Sequence, residues 1–126
     1  MIRRYRWQFH FNAMHNMKPE EPNKRHAHSF LVYLTMEILD MDMDEQNLCE
    51  KEIKSYLSQY NGTYLNELDV FWPNIPTVEV ICEKLYSVFK DIVSAHGRRL
   101  IRLEVGDSPI SLYSFGEEPL FDAFGE

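Results

Sequence analysis

The sequence predicts an α+β fold of order ββααββ, an antiparallel four-stranded sheet with two helices on one face. Three observations predict it. Two long segments near the N-terminus alternate apolar and polar residues with period two. Two central segments carry apolar stripes at helical spacing. Alternation then returns towards the C-terminus.

Residues 2–15 form the first strand. Tyr5, Trp7, Phe9, Phe11, Ala13 and His15 share one parity, and Arg4, Arg6, Gln8, His10 and Asn12 share the other. Successive strand side chains point to opposite faces, so one face suits a core and the other suits water. A loop over 16–25 contains the Pro-Glu-Glu-Pro stretch and leads into a second strand over 26–38. There His26, His28, Phe30, Val32, Leu34, Met36 and Ile38 share the apolar phase. Two such strands joined by a loop predict an antiparallel hairpin.

The period then changes. Between Asp44 and Tyr60, Leu48, Ile53, Tyr56, Leu57 and Tyr60 form a helical stripe. Asp40, Asp42 and Asp44 place negative charge at the start of that helix, where it suits the helix dipole. They do not form a calcium loop, because Glu45 stands where a glycine is needed and Lys51 where a glutamate is needed. A second helix spans 77–96, with Val78, Ile81, Leu85, Val88, Phe89, Ile92 and Val93 as its stripe. Pro76-Thr77 marks its start and Gly97 its stop. Cys49 and Cys82 fall inside the helices as small buried residues. A third strand covers 100–105, Asp107-Ser108-Pro109 makes a turn, and a last strand covers 110–115. The apolar tail at 120–124 either covers its own sheet or docks on a neighbouring subunit.

The chain of 126 residues reads as one domain, 1–126, with 44% hydrophobic and 26% charged residues. It contains no run of about 18 apolar residues, which excludes a membrane span. Met1 to Trp7 is basic but lacks the apolar stretch of a leader. Two cysteines make neither a disulfide framework nor a cysteine zinc cluster, so the cytoplasm is the expected compartment. A net charge of −7 argues against binding nucleic-acid phosphates.

Three histidines carry the chemical signal. His15 lies in the apolar phase of the first strand, and His26 and His28 lie in that of the second. Residues i and i+2 of a strand point the same way, and the hairpin brings His15 towards His26. Three neutral imidazoles converging from the apolar side would hold a zinc ion and leave a fourth tetrahedral position open. Ligand type and availability favour Zn2+ over copper or nickel. The competing reading is three core histidines hydrogen-bonded to protein.

Several stretches resemble the 6-pyruvoyltetrahydropterin synthase and 6-carboxytetrahydropterin synthase family. They are Phe9-His10-Phe11-Asn12-Ala13-Met14-His15, His26-Ala27-His28-Ser29-Phe30, Tyr64-Leu65-Asn66, Pro76-Thr77-Val78-Glu79 and Tyr113. The resemblance implies the tunnelling fold (T-fold). It also implies homo-oligomeric rings, trimers or hexamers, with sites between subunits. It implies Zn2+ on His15, His26 and His28. The implied activity is that of a carbon–oxygen lyase eliminating triphosphate from a pterin-like small molecule.

The chain departs from the family pattern at the proton carriers. Four residues before His26, where the family has cysteine, stands Pro22, with Glu20 and Glu21 nearby. Glu21 is the candidate substitute. Asn61 and Gly62 occupy the family's Asp and His places, and neither titrates near neutral pH. The family's pterin-anchoring glutamate falls at Val105, and Glu104 would take its place only if a bulge beside Gly106 turned it inward. The sequence therefore reads as a divergent member with altered proton transfer. The alternative is a non-catalytic, metal- or pterin-binding regulatory protein of the same fold.

Overall fold

A computed structural model describes residues 2–117, and the tail at 120–124 lies outside them. The elements are β1 (Arg3–His15), β2 (His26–Ile38), α1 (Met43–Ser58), α2 (Val78–Ala95), β3 (Arg98–Ser108) and β4 (Ser111–Gly116). The four strands form one antiparallel sheet in the order β1-β2-β3-β4. The architecture agrees with the ββααββ expectation.

One sheet face carries the core. Phe11, Phe30, Val32, Leu34, Leu103 and Val105 pack beneath Ile53, Leu57, Ile81, Leu85 and Phe89 of the helices, each at most 2% exposed. Burying each such side chain contributes ~1.5–3 kcal/mol. The other face is polar. Arg6 stacks over the Tyr33 ring and binds Glu104 at 2.9 Å, while Arg4 and Arg99 both reach Glu37.

Three local readings change in the structure. Thr35 is buried despite its polar phase, because the β2–β3 register shifts between Thr35 and Met36. The stripe of α1 runs through Gln46, Cys49, Ile53 and Leu57, and Leu48 is exposed. Leu48 sits one position from Cys49, about 100° around the helix and off the buried face. The third strand runs on to Ser108, since Ser108 still pairs with Ser111 and the turn tightens to Pro109 and Ile110.

The helices are capped as their sequences require. Asp42 accepts from the Glu45 N–H at 3.1 Å, and Thr77 Oγ1 accepts from the Val80 N–H at 3.0 Å. Arg98, 5% exposed, donates to Gln46 Oε1, His96 O and Asp42 O at 2.8–2.9 Å. One guanidinium thus ties the start of α1 to the end of α2.

His96 closes the same junction. Its Nδ1 meets Glu45, and its Nε2 meets Glu52 at 2.8 Å. Hydrogen bonds to Glu52 and Glu45 hold its pKa above the usual 6.5. A raised folded-state pKa gives stability that is complete below 6.5 and fades as pH climbs through the folded value. In urea melts, His96→Gln is therefore expected to destabilise by about 1 kcal/mol at acid pH, the discount reflecting the exposed carboxylates. The deficit should shrink steadily above neutrality, and a pH-independent deficit would contradict this account.

Candidate metal centre

The register of the β1–β2 hairpin assembles the site. His15 is the direct cross-strand partner of His26, and Ala13 is the partner of His28. Directly opposed residues share a face about 5 Å apart, so His28 joins the pair diagonally. The ring centroids lie 4.5 Å (His15–His26), 5.2 Å (His15–His28) and 4.6 Å (His26–His28) apart. One nitrogen from each ring falls within 4.8 Å of the other two.

Backbone carbonyls orient two of the rings. His15 Nδ1 lies 2.9 Å from Pro76 O, and His26 Nδ1 lies 3.0 Å from Lys24 O. A carbonyl can only accept, so the neutral rings carry their proton on Nδ1 and leave Nε2 as the lone-pair donor. This is the outer-shell arrangement typical of metal-bound histidine. His15 is 2% exposed, and its Nε2 is buried without a hydrogen-bond partner among the described residues. Burial also holds the His15 pKa below its ordinary value, favouring the neutral ring. An orphaned buried lone pair beside two further imidazoles fits a divalent cation. It does not fit three histidines satisfied by protein.

A second loop fixes the position of His15. Asn16, fully buried, donates its N–H to Asn66 Oδ1 and accepts at its carbonyl from Asn66 Nδ2, both at 2.8 Å. Gly62 N–H donates to Asn12 O at 2.8 Å, and Met14 N–H donates to Thr63 O at 2.9 Å. The chain between α1 and α2 therefore runs along the outer edge of β1. Gly62 there has φ +75°, a conformation a side chain would disfavour.

Two hollows flank the histidines. One, of about 380 Å³, is lined by His15, Met17, His26, Val78, Glu79, Asp107, Ser111, Leu112 and Tyr113. The other, of about 400 Å³, lies against His28 and is lined by Asn12, Ala13, Met14, Ala27, Ser29, Gly62 and Thr63.

The two carboxylates singled out by sequence stand elsewhere. Glu21 precedes a short 3-10 turn, Pro22–Lys24; its carbonyl accepts from Lys24 N–H and Asn16 Nδ2, and it lines neither hollow. Glu104 stays on the helix-free face, opposite Tyr33 and Ser114 and paired with Arg6. The irregularity beside Gly106 exists, but it falls between Val105 and Ser108, past Glu104. Val105 is fully buried in the core. Asn61 and Gly62 touch β1 through Asn12 and bring no titrating group to the histidines. Neither cysteine compensates, because burial pushes Cys49 up to about 11 and Cys82 to about 12, so both stay thiols at neutral pH.

The carboxylates that do line the His15 hollow are Glu79 and Asp107. Across its rim, Tyr113 donates to Glu83 at 2.7 Å. Reading 107–109 as a turn hid Asp107, although it shares parity with Leu103 and Val105, and that parity was the available signal.

The sequence profile of 6-pyruvoyl tetrahydropterin synthase matches residues 4–118. The chain belongs to the 6-pyruvoyl tetrahydropterin synthase family. The fold agrees. The structure of Caenorhabditis elegans 6-pyruvoyl tetrahydropterin synthase is similar with a TM-score of 0.75 at 14% identity, over 94% of this chain and 97% of that one. An uncharacterized protein from Wolinella succinogenes is similar with a TM-score of 0.63 at 13% identity, over 94% and 99% of the two chains. At such identities the likeness is one of fold, the T-fold. No curated protein matches the chain.

The Asn16–Asn66 clamp can be tested by itself. Asn66→Ala leaves the buried Asn16 N–H and C=O unpaired and is expected to cost ~1–3 kcal/mol in urea unfolding. A change within a few tenths would show that water replaces the amide.

Proposed function

We propose that His15, His26 and His28 hold Zn2+ and that the chain acts on a pterin-like small molecule bound beside it. The observation that carries this reading is the buried, unpartnered Nε2 of His15 converging with His26 and His28. When bound, zinc supplies a Lewis acid that lowers the pKa of a coordinated hydroxyl. The protein's own part is positional. Pro76 O and Lys24 O set the imidazole tautomers, and the hollow beside His15 gives a ligand access.

Membership of the family supports carbon–oxygen lyase chemistry of the triphosphate-eliminating type. Pro22, Asn61 and Gly62 argue that its proton transfers run through other groups, in a divergent paralogue. Homo-oligomerisation belongs to the same reading, because β1 and β4 are the edges of the sheet. So does a cytoplasmic setting, with two free buried cysteines; among the described residues no helix is long and apolar enough to cross a membrane. A non-catalytic, pterin-binding role is the second reading, favoured by the absence of Glu21 from the lining of both hollows.

Metal analysis of the untagged protein is expected to give about one zinc per chain, lost in His28→Ala. Absence of zinc from the wild type, even after zinc is supplied, would overturn the site. Incubation of the zinc-loaded protein with dihydroneopterin triphosphate and related pterins, followed by chromatography, is expected to yield product. Pterin-dependent thermal stabilisation without turnover of any of them would establish the binding role instead.

A further inference from the structure

Of the two carboxylates that line the His15 hollow, Glu79 and Asp107, it is Asp107 that stands against a histidine nitrogen. It follows the last β2–β3 ladder pair, Leu31 with Gly106, in the strand phase of Leu103 and Val105. Its Oδ2 lies 3.8 Å from His28 Nε2, and it lines the hollow with His15 and His26.

The local chain is built to present it. At Gly106 a Cβ would fall 2.5 Å from Ser111 O and 2.7 Å from Leu112 Cδ2, so only glycine allows β4 to approach this closely. The β3–β4 ladder passes from Val105–Tyr113 to Ser108–Ser111 and skips Asp107. A bulge of this kind re-aims a side chain.

We infer that Asp107 is a fourth protein donor to the cation held by His15, His26 and His28, closing a three-histidine, one-carboxylate set that an incoming small molecule must open. The inference rests on the metal reading of the preceding subsection. Ligand atoms at about 2.0–2.1 Å from a tetrahedral zinc lie about 3.4 Å from one another. The 3.8 Å between Asp107 Oδ2 and His28 Nε2 is a few tenths from that edge. The charge count agrees, since three neutral imidazoles leave the full dication and one carboxylate halves it. The Asp107 side chain is 40% exposed and sits at a strand end, so it has room to swing out when a ligand enters.

The test uses the full chain loaded with Co2+ as a spectroscopic probe, with azide as the competing ligand. Wild type is expected to show a tetrahedral cobalt spectrum that azide leaves unchanged. Asp107→Ala and the near-isosteric Asp107→Asn are expected to show shifted bands that move again with azide. Their cobalt affinity should fall by more than the ~10–100-fold typical of losing an outer-shell partner. Unchanged spectra and affinity in both variants would overturn the inference. So would weaker affinity with wild-type spectra and no response to azide, which would make Asp107 an ion-pair partner of His28 only. Failure of the wild type to take up cobalt would overturn the metal site itself, an outcome distinct from a loaded site indifferent to Asp107.

Discussion

The pairing of His15 with His26 across the β1–β2 hairpin is the contact on which the rest of the site depends. Strand side chains alternate with period two, so a slip of one residue would send one histidine group to the opposite face. The register is held from both ends. Towards the strand middles, Phe11 stacks on Phe30 with centroids 5.1 Å apart, and both are buried under the helices. At the loop end, Asn16 is gripped by Asn66 immediately after His15. The site therefore draws its geometry from a buried part of the sheet and from a polar clamp beside it.

The remaining elements serve that hairpin in different ways. Pro76 at the entrance to α2 supplies the carbonyl that orients His15, so the start of the second helix is also a wall of the site. The segment after α1 lies along β1 through Gly62 and Thr63, covering part of an edge that would otherwise be bare. At the far end of the helices, Arg98 and His96 join α1 to α2 through buried and half-buried polar contacts. That junction stands apart from the histidines and steadies the helical layer that holds down the core.

Chemically, the chain keeps donors for a cation and lacks titrating groups at the family's proton-carrying positions. Pro22, Asn61 and Gly62 leave no thiol or imidazole there, and the two cysteines are buried thiols in the helices. The carboxylates beside His15 come from the β3–β4 hairpin and the first turn of α2, where Asp107 and Glu79 share its hollow. Glu104, one residue from the family's anchoring position, spends its charge on Arg6 across the polar face.

By itself, the sequence determined the element order and the face on which each strand residue lies, because period two and period 3.6 are local properties of the chain. It thereby placed His15, His26 and His28 in one phase, and the fold followed from the same alternation. Tertiary structure decided the rest. Register shifts at Thr35 and after Val105 depend on how two strands meet, and no single strand encodes them. Thr35 is buried at the first, and the second falls past Glu104, which stays on the polar face, and sets Asp107 beside His28. The orientation of His15 likewise needed Pro76, 61 residues away, whose carbonyl no local pattern could have matched to that ring. Periodicity says which way a side chain points, whereas only the meeting of distant segments says what it points at.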